Sequence, residues 1–345
     1  MKLALTALAI FPMTMAIAAT EPTKDMKQVL DALKAQDTKP IETLTPEQAR
    51  SQKGPSDAAK AVITKKEGAF KPLEISRIEE RQIDGAAGKI GARIYTPEGK
   101  TPLPVIVYYH GGGFVIATND TYDASARALA KNANAIVVAV EYRKAPEHKF
   151  PAAHDDAFAA YRWVLSNAQN LGGDPQRIAV AGESAGGNLA LNTAIRARDE
   201  GLSIPTHELL IYPVASTTMD TASYKEHANA QPLNKKGMTW FVENYTNGTT
   251  DLKDKRLNLV EADFKGLAPA TIITADIDPL RDEGKLLAEK MRGQGVTVEY
   301  RNYEGVTHEF FGMAPLLQEA AAAQNFAITD LKESFEKQAQ EEKVE

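Results

Sequence analysis

The chain contains no cysteine. Disulfides, a thiolate nucleophile, a thiolate metal site and lipid attachment through cysteine are all excluded. It also lacks a basic surplus, since 40 Lys and Arg face 46 Asp and Glu for a formal net charge of -6. A nucleic-acid partner, whose phosphates must be neutralised, is not expected. Long apolar runs are scarce, and one stands out: Leu3 to Ile17 follows Lys2 and ends in Ala16-Ile17-Ala18, with small residues at both flanking positions. That pattern predicts a signal peptide over residues 1–18, cleaved after Ala18, and hence a periplasmic or secreted protein. The run is shorter than the about 20 apolar residues of a comfortable membrane span. No stable membrane insertion is therefore expected after cleavage. Cofactor signatures are missing as well: there is no H-E-x-x-H, EF-hand loop, Walker A or dinucleotide fingerprint. His154-Asp155-Asp156 and Asp120 with Asp123 read as solvated or supporting groups, and neither metal nor cofactor is expected.

With 43% hydrophobic residues among 345, the chain has enough apolar material for a sizeable core. Residues 19–75 read as a polar, helical cap segment, with Val29, Leu30 and Leu33 forming a short stripe. From about Ser76 the pattern changes. Ser76 to Ile83 and Lys89 to Tyr95 look like paired strands around the turn residues Asp84-Gly85. Apolar runs of strand length follow at Val105–Tyr109, Ala135–Val140, Ile178–Ala181 and Glu208–Tyr212, interleaved with helical stretches, and Ala270–Ala275 and Val296–Tyr303 extend the series. Runs without alternation predict strands buried on both faces, hence an α/β fold whose mostly parallel sheet of about eight strands carries helices on both sides. The insertion at about 216–265 is too long for a plain loop. Met238, Phe241 and Tyr245 recur there at helical spacing, with Asn234 placed to cap, so a cap helix is expected. Ile328, Leu331 and Phe335 predict a closing amphipathic helix, with an acidic tail fraying beyond it.

Two glycine motifs carry chemistry. Gly182-Glu183-Ser184-Ala185-Gly186 stands between the strand Ile178–Ala181 and the helix-forming run Asn188–Ala197, the context of a nucleophile elbow, in which a sharp turn thrusts the serine hydroxyl forward. His110-Gly111-Gly112-Gly113 follows the strand Val105–Tyr109. Its backbone N–H groups are free to hold an oxyanion, with Gly112, Gly113 and Ala185 as the expected donors. His308 follows one late strand and Asp278 another, which brings both to the carboxyl edge of a parallel sheet beside Ser184. His148, His154, His207 and His227 stand elsewhere. Asp276, two residues before Asp278, stays open as the acid on this reading.

Taken together, these stretches resemble the hormone-sensitive lipase family of α/β hydrolases, whose bacterial members are carboxylesterases. The likeness runs through His110-Gly111-Gly112-Gly113-Phe114, Glu141-Tyr142-Arg143-Lys144-Ala145-Pro146-Glu147, Phe150-Pro151-Ala152-Ala153, the elbow with Gly187-Asn188, Asp278-Pro279-Leu280-Arg281-Asp282-Glu283 and Gly305-Val306-Thr307-His308. Glu183 stands where the family commonly has aspartate, and Lys144 where leucine is usual. The resemblance implies an α/β-hydrolase fold and a Ser184, His308, Asp278 triad, with Asp278 rather than Asp276 as the acid. It further implies a small-molecule ester as substrate and an acyl-enzyme intermediate. Phe114, Met238, Trp240, Phe241 and Tyr245 are expected to line the pocket and favour short acyl groups. An amidase or deacetylase with the same triad, and a non-catalytic binding module, remain alternatives. A homodimer is compatible with the sequence.

Overall fold

The computed structural model describes residues 20–341. The expected signal peptide and residues 342–345 lie outside them, while the acidic stretch after Phe335, expected to fray, continues the last helix as far as Glu341. Eight strands form one sheet in the order β1-β2-β4-β3-β5-β6-β7-β8. They are β1 (Arg77–Gly85), β2 (Gly88–Thr96), β3 (Leu103–Tyr109), β4 (Ile136–Glu141), β5 (Gly173–Glu183), β6 (Glu208–Ile211), β7 (Ala270–Ile277) and β8 (Val298–Thr307). The helices are α1 (Lys24–Ala35), α2 (Pro46–Ser51), α3 (Pro55–Glu67), α4 (Asp123–Ala133), α5 (Ala152–Asn167), α6 (Ala185–Asp199), α7 (Ala222–Glu226), α8 (Lys235–Tyr245), α9 (Arg281–Gly293) and α10 (Gln318–Glu341).

Only β2 runs antiparallel to its neighbours, pairing so with β1 and β4, while β3 to β8 are mutually parallel. Every residue of β3 is buried, as its unbroken apolar run predicts. Alternate side chains serve opposite faces: Val105, Val107 and Tyr109 join the core under α5 and α6, whereas Ile106 and Tyr108 join the one under α4 and α10. Ile328, Leu331 and Phe335 of α10 are buried in the latter. The hairpin differs from expectation by two residues. Gly85 pairs with Gly88, so the turn is Ala86-Ala87 and not Asp84-Gly85. The cause is distant in sequence, because the buried carboxylate of Asp156 accepts the Ala86 N–H at 2.9 Å while holding Arg143 at 2.7 Å. Of the two readings open for its motif, solvated or supporting, Asp156 takes the second, as a buried anchor for the hairpin and for Arg143.

The N-terminal helices dock onto this body. Thr23 N–H bonds to Gly305 O at 2.9 Å, ahead of α1. Arg50 of α2 reaches Val115 O at 2.8 Å and Ala145 O at 2.6 Å. In the insertion, Asn234 caps α8 by accepting from Gly237 N–H at 2.8 Å.

Glu208 in β6 is fully buried, and neither carboxyl oxygen has a hydrogen bond among the described residues; the Ala268 amide approaches without closing one. Burial pushes its pKa well above the ordinary value. A raised folded-state pKa means stability is full below about pH 4.5 and is lost as pH climbs toward that higher value. Glu208→Met, which replaces an unpaired acid by an apolar chain of similar length, is expected to stabilise the fold by about 1–3 kcal/mol. The gain should grow from pH 5 to pH 8 in chemical unfolding curves. A gain independent of pH would contradict the assignment.

Candidate active site

Parallel strands deliver their next residues to one edge. Ser184 follows β5, Asp278 follows β7 and His308 follows β8. The sheet register sets the last two side by side. After an irregularity between Ala275 and Ile277, Ile277 pairs with Thr307, so Asp278 and His308 leave the sheet together.

Ser184 sits at φ 57° and ψ -118°, a backbone region few L-residues adopt. Steric crowding accounts for its glycine neighbours. A Cβ on Gly182 would lie 2.1 Å from Gly186 O, and one on Gly186 would lie 1.9 Å from Tyr109 O. The turn is locked from outside, since Ser184 N–H donates to Ile211 O at 2.9 Å and Ser184 O accepts from Val214 N–H at 3.1 Å. The hydroxyl is 2.9 Å from His308 Nε2, and His308 Nδ1 is 2.6 Å from Asp278 Oδ2. The other Asp278 oxygen accepts the Leu280 N–H at 2.9 Å. All three residues are buried. Burial works against a charged imidazole, yet the Asp278 carboxylate, helped by Glu309 and Glu183, holds the His308 pKa above the usual histidine value. Asp276 stands apart, its Oδ1 engaged by Arg281 and Asn302.

Gly112 and Gly113 follow β3 at φ 95° and 58°, conformations that glycine tolerates best. Gly112 O accepts the N–H groups of Val115 and Ile116, which closes the loop on itself. The N–H groups of Gly112, Gly113 and Ala185 donate to no protein acceptor among the described residues. Ala185 is also the first residue of α6, where the helix dipole favours negative charge. His110 is not a base here. It is fully buried, its Nδ1 lies 2.8 Å from Gly111 O, its ring stacks on Tyr142 at 4.4 Å, and burial pushes its pKa down to about 4. Gly111 has no room for a side chain because Tyr122 Oη would lie 2.2 Å from its Cβ. Lys144 bonds to Ala117 O and Glu141 at 2.7 Å each, bracing the same loop.

Of the expected pocket side chains, Phe114, Met238, Phe241 and Tyr245 line one hollow of about 20 Å³ together with Gly113. Phe241 closes on the glycine loop so tightly that a Cβ on Gly113 would overlap its ring. Trp240 does not line it. Its indole N–H donates to Leu44 O at 3.0 Å, tying α8 to the N-terminal segment, because the α8 face it occupies turns toward residues 41–44.

Two acidic residues flank the serine and the histidine. Glu183, directly before Ser184, accepts from Tyr108 Oη at 2.6 Å and from Tyr212 Oη. Burial and then the nearby Glu309 push its pKa up to about 7, against the pull of its hydrogen bonds. Glu309 went unread in the sequence, although a charged residue between Val306 and Phe310-Phe311 was a visible signal. It accepts from Tyr122 Oη, and its Oε1 lies 3.8 Å from His308 Nε2.

A family model described as alpha/beta hydrolase fold matches residues 106–312. Carboxylesterase NlhH of Mycobacterium tuberculosis is 43% identical over 267 residues, which span 75% of this chain and 83% of the relative. The Ethyl acetate hydrolase of Pseudomonas putida is 34% identical over 286 residues, 81% of this chain and 88% of its own. Among solved structures, the hyperthermophilic esterase from the archaeon Pyrobaculum calidifontis superposes with a TM-score of 0.83 at 38% identity. That match covers 91% of this chain and 98% of the other.

Proposed function

Because the chain belongs to the hormone-sensitive lipase family of α/β hydrolases and is a carboxylesterase, we propose that it cleaves short-acyl esters through an acyl-enzyme on Ser184. The observation that carries this reading is the hydrogen-bonded line from Asp278 through His308 to Ser184, buried along its length. With the Asp278 carboxylate accepting from Nδ1–H, Nε2 is left with a lone pair facing the serine hydroxyl. His308 takes the serine proton as Oγ bonds to the ester carbon, and the carbonyl oxygen becomes an oxyanion. The free N–H groups of Gly112, Gly113 and Ala185 donate hydrogen bonds to that oxyanion; losing one such donor typically costs about 10² to 10³ in rate. The proton then passes from His308 to the departing alcohol. Water repeats the sequence on the acyl-enzyme and releases the acid. Asp278 fixes the tautomer and stabilises the imidazolium without taking the proton.

The hollow of about 20 Å³ beside Gly113 is little more than a water-sized space. It supports a short acyl group, and the name of the Pseudomonas relative, ethyl acetate hydrolase, points the same way. We assign residues 19–75 and 216–265 to the cap that roofs the site. Export into the periplasm or medium is part of the same reading and rests on the pattern at Lys2 to Ala18.

Specificity constants for p-nitrophenyl esters are expected to peak between about C2 and C6 and then fall, because each further methylene gains roughly 0.8 kcal/mol only where a dry slot exists. Phe241→Ala, which opens the wall against Gly113, should move the optimum to longer chains. Equal turnover of long-chain emulsified triglycerides by the unaltered protein would contradict the reading.

A further inference from the structure

A second cavity, of about 540 Å³, shares no lining residue with the small hollow. Its volume is in the range of small-molecule binding sites. Residues of α3, the stretch 70–73, α4 and the turn Phe311–Met313 enclose it, and Ile63, Phe70, Pro72, Ala128 and Met313 make much of its wall apolar. Glu183 and Glu309 also line it. These are the residues directly before Ser184 and directly after His308. Glu309 Oε1 lies 3.8 Å from His308 Nε2, which is itself 2.9 Å from the serine hydroxyl, so this acidic end abuts the reacting atoms.

Charge is distributed unevenly along the chamber. Glu183 is 1% exposed, whereas Lys71 is exposed and Lys60 is partly so, its Nζ standing 5.8 Å from the centre of the Phe70 ring. The lysines therefore stand at the solvent side, and the acidic residues Glu183 and Glu309 at the end next to the triad. Asp123, the other acid on the wall, is engaged by Arg127 and Arg93. Glu183 has both oxygens hydrogen-bonded by tyrosines. Glu309 does not: Tyr122 serves Oε1, and Oε2 accepts no hydrogen bond among the described residues. Glu309 lines the chamber with its side chain 20% exposed, so this free oxygen is open to a cation that enters there.

We propose that this cavity receives the alcohol half of the ester, and that Glu309, backed by Glu183, makes it select alcohols bearing an ammonium group on an apolar body. The proposal rests on the triad reading given above. The hollow beside Gly113 suits only a small acyl group, so a bulky substrate must place its mass on the alcohol side. The apolar wall then takes the body of the alcohol, and the free oxygen of Glu309 pairs with its cation.

The test compares 3-(trimethylammonio)phenyl acetate with 3-tert-butylphenyl acetate, which match in shape and acyl group and differ in charge. For the unaltered protein, kcat/KM is expected to favour the cationic ester by about tenfold or more after correction for intrinsic reactivity. The difference should lie mainly in KM, and Glu309→Gln should bring the ratio close to one. Any effect of that substitution on the common chemical step cancels in the ratio. Phenyltrimethylammonium ion should also compete with p-nitrophenyl acetate, and do so more weakly in the variant; this second readout needs no turnover of the cationic ester. A ratio at or below one in the unaltered protein, or a preference untouched by both Glu309→Gln and Glu183→Gln, would overturn the proposal. Ser184-dependent hydrolysis of the neutral ester would still stand in that event, whereas turnover surviving Ser184→Ala would remove the triad reading itself.

Discussion

Ser184→Ala and His308→Ala are each expected to lower kcat for p-nitrophenyl acetate by about 10⁴ to 10⁶, and the double variant to lose little more than either single one. The reason is geometric. At 2.9 Å, the hydroxyl and Nε2 share one proton-transfer step in the proposed mechanism, so removing either partner is expected to remove the same step. What remains is substrate binding and the three free N–H groups, which continue to stabilise attack by water. Neither substitution should unfold the protein, because Ser184 fixes its turn through main-chain bonds to Ile211 and Val214, which alanine retains. Losses that multiply in the double variant would show that the two residues act in separate steps.

Asp278→Asn is the second large effect, with an expected loss of about 10⁴ in kcat. An amide in place of the carboxylate can present its NH₂ to Nδ1, which moves the ring proton to Nε2 and takes away the lone pair that faces Ser184. It also removes the first favourable charge holding the His308 pKa up. Only the neutral imidazole can act as base in the proposed mechanism, so activity in the unaltered enzyme is expected to fall as pH drops through that raised pKa. In the residual activity of Asp278→Asn this acid-side midpoint should move to lower pH. Asp276→Asn should do neither, since its carboxylate serves Arg281 and Asn302. A costlier Asp276 substitution would mean that the acid is misassigned.

Much of this arrangement was legible before any coordinates, for a physical reason. Buried parallel strands such as β3 announce themselves as unbroken apolar runs, whereas β8 mixes exposed and buried residues and was legible only as the last of the series; the carboxyl ends of parallel strands must share an edge. A Ser, Asp or His just after such a run is therefore already near its partners. The glycines of the elbow were readable because their constraint is local: Gly186 faces Tyr109 O too closely for any Cβ. Other features depend on contacts that spacing along the chain does not encode. The hairpin turn moved to Ala86-Ala87 because Asp156, 70 residues on, reaches its N–H. Trp240 belongs to the seam with Leu44, 196 residues away, rather than to the pocket. The large chamber arises where α3, α4 and the turn after β8 meet around Tyr122 and Glu309, 187 residues apart. Glu183 was noticed only as a departure from a family pattern, and its company of tyrosines needed the fold to appear.

The central claim is that one serine, activated by one histidine, carries the acyl group. Incubation with a fluorophosphonate, followed by intact-protein and peptide mass spectrometry, tests it most directly, because only an activated serine reacts. The account predicts a single adduct on Ser184, stoichiometric with loss of esterase activity, absent in Ser184→Ala and strongly slowed in His308→Ala. An adduct on another residue that tracks the loss of activity, or full activity retained by a protein labelled at Ser184, would contradict it.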